Sequence, residues 1–80
     1  MTIREAVANR IILLCDEQKI TINKLSTKAG VTQSTVDSIL KGKSKNPGVC
    51  TIKKLCDASG ISIIDFFNHP LFENLDIDLN

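Results

Sequence analysis

Tryptophan and tyrosine are absent from these 80 residues, and three phenylalanines make up the whole aromatic complement. Binding single-stranded nucleic acid by base stacking needs exposed rings. Phe66 and Phe67 read as core residues, so with Phe72 as the only other ring that activity is disfavoured. Long apolar runs are also missing. The longest spans residues 11–15, far short of the roughly 20 residues of a membrane span, and charges at Arg4, Glu5 and Arg10 leave no signal-peptide core. Cys15, Cys50 and Cys56 are odd in number and lack zinc-site spacing. They are expected to be small buried hydrophobes in a reduced compartment. The single histidine, His69, stands beside Pro70 with no ligand pattern and no nucleophile–base arrangement. No metal, no cofactor and no enzyme activity are expected. A chain of this length buries only about 60% of its unfolded surface, enough for one small domain but not for a deep substrate cavity.

What is present is ordinary globular composition, 42% hydrophobic and 24% charged, which argues against disorder. Net charge is only +1, but its distribution is uneven. All ten Lys and Arg lie in residues 1–64 with five carboxylates, a balance of +5, and the remainder carries four carboxylates and no base. Residues 38–56 hold five lysines (Lys41, Lys43, Lys45, Lys53, Lys54) and no acid. Such a stretch can meet phosphate even in a nearly neutral chain; a solvated lysine-rich loop is the plainer alternative.

Period-two alternation is scarce, whereas helical periodicity recurs between Gly and Ser/Thr punctuation. Thr2 and Glu5 have capping-box spacing and open a helix to about residue 18, with Ile3, Val7, Ile11 and Leu14 as its inward stripe and Cys15 beside it. Thr21 caps a short second helix through residue 28, and Gly30 supplies the left-handed residue that ends it. Thr32 caps a third helix over about residues 33–41, stopped by Gly42. A fourth covers about 49–59, ending at Gly60. Ser62 and Asp65 open a fifth through residue 67, which Pro70 prevents from continuing. The reading is all-α.

The second and third helices, joined through Ala29, Gly30 and Val31, have the helix-turn-helix pattern. Leu25, Ala29, Val31, Val36 and Ile39 fall where two crossing helices bury side chains. Ser34, Asp37, Ser38 and Lys41 point away from that side, and Gln33 lies at the exposed N-terminal end. That short polar face suits the major groove, where base edges are read by donors and acceptors. Gln33 carries both and can pair with adenine; Ser34 and Ser38 can serve as either; the Thr32 methyl can meet a thymine methyl if its hydroxyl is not tied up in capping. A solvated helix face remains the alternative from spacing alone.

The run Ile20-Thr21-Ile22-Asn23-Lys24-Leu25, then Ala29 to Val36, Gly42 to Pro47, Thr51 to Cys56, Gly60-Ile61-Ser62 and Phe66-Phe67 resembles the phage-repressor-like (Cro/repressor type) helix-turn-helix family. The resemblance covers most of the chain, about residues 11–67. It implies a compact five-helix repressor-like domain whose helix-turn-helix is formed by helices two and three, with helix three entering the major groove. It places Gln33, Ser34 and Ser38 at base-reading positions, to which the chemistry above adds Thr32. Lys43 and Lys45 take phosphate-contacting positions, and Lys41 is grouped with them. Many members open the second helix with a phosphate-bonding Gln. Here that position is Ile22, and backbone N–H groups near Thr21 with the Asn23 side chain are the expected substitutes. Members also often pair an Arg late in helix one with a Glu late in helix three; Cys15 and Leu40 stand there, and replacing both partners of a buried ion pair is often neutral or stabilising.

The expected organisation is a helix-turn-helix DNA-binding domain over residues 1–70 and a short acidic tail over 71–80, packing on the domain or at a dimer interface. Leu71, Phe72 and Leu75 would fold back over Ile12 and Leu13, or join a partner chain. The expected function is a sequence-specific double-stranded DNA-binding transcriptional regulator, a repressor acting as a homodimer on a palindromic operator. It would work in the cytoplasm of a bacterium, or be phage-encoded, with no membrane involvement. The alternative is a protein-interaction module of the same fold, such as an antitoxin or a regulator's partner, that does not rely on base readout.

Overall fold

Thr2 starts the first helix as its spacing requires. In the computed structural model, which describes residues 1–42 and 47–77, the Thr2 hydroxyl accepts from the Glu5 N–H, and the Glu5 carboxylate accepts from the Thr2 N–H at 2.9 Å. This reciprocal box satisfies two of the backbone donors that every helix N-terminus leaves without partners. Helix α1 (Ile3–Gln18) ends at Lys19, which adopts the left-handed conformation with φ 55°. The Ile20 N–H returns to the Cys15 carbonyl at 3.0 Å.

Four further helices follow: α2 (Ile22–Ala29), α3 (Gln33–Leu40), α4 (Val49–Ser59) and α5 (Ile63–Phe67). Among the described residues a single 3-10 turn, Pro70–Phe72, packs against α1. The architecture is all-α, and the one β-type feature among the described residues is an isolated parallel bridge between Thr2 and Asp76. Thr21, Thr32 and Ser62 cap α2, α3 and α5 through their hydroxyls, while α4 starts at Gly48 without a side-chain cap. Among the described residues no helix is long and apolar enough to cross a membrane.

The core draws Val7, Ile11, Leu14 and Cys15 from α1 and Leu25 from α2. Val36 and Ile39 come from α3, Ile52, Leu55 and Cys56 from α4, and Phe66 from α5. Burying each such aliphatic or aromatic side chain contributes about 1.5–3 kcal/mol, so all five helices are tied to one centre. Three sequence expectations are corrected. Phe67, read as a core residue, is 37% exposed, because Phe66 takes the inward position of the five-residue α5. Ile3 is 40% exposed, because it lies in the first turn of α1, where the helix overhangs the core beside Pro47, Val49 and Phe67. Cys15 and Cys56 are buried as expected, and burial raises both thiol pKa values. Cys50, however, is exposed, since Ile52, Leu55 and Cys56 already occupy the inward positions of α4.

Arg10 has a role that its sequence position did not suggest. It is buried, its Nε donates to the Phe66 carbonyl at 2.8 Å and one terminal nitrogen donates to the Asp65 carbonyl at 3.2 Å. The guanidinium also lies 5.8 Å from the centre of the Phe66 ring. A cation at the negative end of α5 is favourable, and it ties that helix to α1. At the C-terminal end of α1, the Gln18 amide donates to the Ser59 carbonyl at the end of α4.

The segment after α5 folds back along α1. Leu71, Phe72 and Leu75 are half-buried, and Phe72 packs on the core with its ring centre 4.9 Å from that of Phe67. Asp76 reaches the start of α1: its N–H donates to the Met1 carbonyl at 2.9 Å and its carboxylate pairs with the Met1 ammonium at 2.6 Å. Leu13 is half-buried, whereas Ile12 stays 47% exposed.

Candidate nucleic-acid interface

The geometry of α2 and α3 follows from one turn. Gly30 sits at φ 69°, ψ 28°, the left-handed region that costs a residue with a Cβ about 1–2 kcal/mol. The Gly30 N–H donates to the Thr27 carbonyl and the Val31 N–H to the Ser26 carbonyl, at 3.2 and 3.1 Å. This pair of hydrogen bonds satisfies C-terminal carbonyls of α2 and swings the chain into α3. Leu25, Val36 and Ile39 are buried, and Ala29 and Val31 pack half-buried against them. All five residues expected between the crossing helices therefore lie there.

Thr32 then caps α3. Its hydroxyl accepts from the Thr35 N–H and lies 2.7 Å from the Thr35 hydroxyl and 3.4 Å from that of Ser34. The Thr32 hydroxyl is thus committed locally, leaving only its methyl to contact a base. Gln33 and Ser34 are exposed in the first turn, whereas Ser38 is half-buried one turn further on. Exposed polar side chains are therefore concentrated at the N-terminal end of α3.

Thr21 accepts from the Lys24 N–H at 3.0 Å, and the first-turn N–H groups of α2 lack an intrahelical carbonyl, as at any helix start. Neither α2 nor α3 carries a carboxylate in its first turn, so nothing there competes with an anion for the positive helix ends. Asn23, Lys24 and Lys28 are exposed on α2 and Lys41 is exposed as the C-terminal cap of α3. Lys53 pairs with Asp57 one turn along α4, which reduces the free positive charge of the lysine-rich segment. Lys43 and Lys45 lie outside the described residues.

Ile22, at the place where many relatives carry Gln, is half-buried against the core. Cys15 and Leu40 both belong to the apolar packing, consistent with an ion pair replaced by hydrophobic contact. One contact had no signal in the sequence: the Gln33 Nε2 donates to the Asn23 Oδ1, joining the first turns of α2 and α3 across ten positions. The Thr32–Thr35 hydroxyl pair, by contrast, has a readable signal, a Thr three residues after a Thr cap.

Residues 10–70 match the Cro/C1-type HTH DNA-binding domain family. The chain belongs to that family. It is thereby a helix-turn-helix domain of a DNA-binding family. It is 37% identical over 54 residues to the HTH-type transcriptional repressor RghR of Bacillus subtilis (strain 168). That alignment takes in 68% of this chain and 40% of RghR, so the chain spans less than half the length of that relative. In three dimensions it is similar to the prophage Lp1 protein 11, with a TM-score of 0.83 and 40% identity over 94% of this chain and 99% of that one.

Proposed function

We propose that this Cro/C1-type domain binds double-stranded DNA in a sequence-specific way and represses transcription by occupying an operator, with α3 in the major groove. The observation that carries the reading is the exposed polar first turn of α3, Gln33 and Ser34, held proud of a core that buries the opposite side of the same helix. Gln33, Ser34, Ser38 and the Thr32 methyl read base edges. Thr21, Asn23, Lys41, Lys43 and Lys45 contact phosphate and fix the register. The kinship with a repressor and with a prophage protein supports repression, in a bacterial cytoplasm or from a phage genome.

An eight-residue helix spans about 12 Å and meets only a few base pairs. A second copy on a palindromic site, with half-sites about 34 Å apart, supplies the rest of the specificity. In favour of such pairing, Phe67 joins two apolar hollows, one with Ile63 and Ile64, the other with Ile3, Pro47 and Val49. Ile64 is 75% and Val49 70% exposed, and contiguous apolar surface of this kind marks interaction sites.

Selection of bound duplexes from a random pool, at about 0.15 M salt where exposed charges are already well screened, tests the reading. The wild type should enrich a palindrome, and the Gln33→Ala/Ser34→Ala double variant should lose or relax it. Retention without enrichment would reduce the function to electrostatic binding. No retention, or an enrichment indifferent to the double variant, would favour a protein-interaction role.

A further inference from the structure

The first turns of α1 pack beside the last turn of α3, and a hollow of about 340 Å³ opens between them. We infer that this hollow is a binding site for a small organic carboxylate, and that its occupancy weakens the hold on DNA. The site is argued from its own lining; its effect on DNA rests on the phosphate contact proposed for Lys41.

Among the described residues, three hydrogen-bond donors from two helices converge on the hollow: the Arg4 guanidinium, the Asn9 amide and the Lys41 ammonium. Arg4 and Asn9 are half-buried on α1, and Lys41 is exposed at the C-terminal cap of α3. The Asn9 amide nitrogen lies 3.9 Å from the Met1 sulfur, a weak acceptor that a carboxylate oxygen readily replaces. Ala8 and Ile39, both buried, and the half-buried Leu40 give the hollow an apolar floor. Glu5 also borders it, but its carboxylate turns back to its own helix start, accepting from the Thr2 N–H at 2.9 Å and the Thr2 hydroxyl at 3.2 Å. Two cations against one occupied carboxylate leave a balance of +1, which favours a monoanion.

A guanidinium fork and an ammonium accept carboxylate and phosphate alike. The floor narrows the choice, because an inorganic anion leaves Ala8, Ile39 and Leu40 in water whereas an organic one covers them. A neutral apolar molecule would strand the donors around the hollow without partners. Small-molecule pockets run from roughly 300 to 1,000 Å³, and a volume at the low end of that range suits a single ring or a short branched chain. Lys41 belongs to this hollow and also marks where the chain leaves α3. A carboxylate bound to it withdraws its charge from the DNA backbone, and linkage makes the opposition reciprocal: duplex weakens the carboxylate by the same factor.

The test titrates the isotope-labelled full chain with benzoate, acetate and benzamide while following backbone amide resonances. Sodium chloride keeps the ionic strength constant, because DNA affinity falls with salt in its own right. Benzoate carries both charge and apolar body, acetate the charge alone and benzamide the body alone. Benzoate should move the Ala8, Asn9, Lys41 and Gly42 resonances, and benzamide should bind roughly tenfold more weakly, the least that a hydrogen bond to a charged group confers. Acetate should also be the weaker ligand, since it leaves the floor uncovered. Arg4→Gln should weaken benzoate; Lys41→Gln, at an exposed side chain, repeats the test if melts show that Arg4→Gln does not fold. Saturating benzoate should lower affinity for the selected operator about fivefold, the low end of typical coupling, and benzamide should not.

Equal binding of benzamide, or shifts centred on Ile63, Ile64 and Phe67, would mean apolar partition and overturn the carboxylate site. Resonances of the hollow that respond to duplex but to none of the three small molecules would overturn it too, and make the hollow a backbone contact. Benzoate seated in the hollow with operator affinity unchanged, or a chain that binds no duplex, would overturn the coupling alone.

Discussion

Lys19 is the residue most at odds with its own chemistry. It ends α1 in the left-handed region at φ 55°, where Gly30 and Gly60 end α2 and α4. A glycine there would avoid the Cβ contact with the following carbonyl. Lys19→Gly should therefore raise stability by about 0.5–1 kcal/mol, read as a higher urea midpoint with unchanged slope; a lower midpoint would mean that the lysine side chain makes a compensating interaction. Glu5 supplies a pH-dependent case. Its hydrogen bonds to the Thr2 N–H and hydroxyl hold its pKa below the ordinary glutamate value. A carboxylate depressed in the folded state stabilises above its unfolded pKa and loses that contribution as pH falls through the folded one. Wild type should be more stable than Glu5→Gln at neutral pH, and the gap should close on acidification below the ordinary carboxylate range. A gap that persists into strong acid would show that the ionised carboxylate is not its source.

At the scale of elements, the helices were legible because their ends are written in local chemistry: Thr2, Thr21, Thr32 and Ser62 cap them, and Gly30 and Gly60 stop two of them. The buried pairing of α2 with α3 was legible for the same reason, since a short turn leaves those helices few ways to hide Leu25, Val36 and Ile39. What joins elements distant in sequence was not. Arg10 donates to carbonyls 55 and 56 positions away, and backbone carbonyls carry no sequence signal. Nor does the amide contact from Gln33 to Asn23, which depends on how two helices cross. Arg10→Met keeps the aliphatic stem but strands the Asp65 and Phe66 carbonyls. It should cost about 3 kcal/mol, the scale of charge-assisted hydrogen bonds in a buried setting, measured by urea unfolding. A variant as stable as wild type would show that the clamp on α5 contributes nothing.

For the whole molecule, the two ends of the charge distribution have different fates. The acidic C-terminal part folds back to the start of α1 through Asp76, while exposed lysines stay on α2 and at the end of α3. The apolar surface around Ile64, Phe67 and Val49 carries no signal in the sequence, whereas Leu71, Phe72 and Leu75, expected either to fold back on the domain or to join a partner chain, are half-buried. If the exposed surface pairs two copies, Ile64→Lys should leave the helical melt unchanged, since Ile64 is 75% exposed, and shift sedimentation on operator DNA from two chains per duplex to one. Two chains per duplex in the variant would place the contact elsewhere.

The central claim is that α3 reads DNA from the major groove, and methylation interference on the selected operator tests it most directly. Methyl groups on guanine N7 project into the major groove and those on adenine N3 into the minor. Bound duplexes should be depleted of N7 methylation within each half-site and indifferent to N3 methylation there. Depletion at N3 with tolerance at N7 would contradict the account and move the reading surface away from α3.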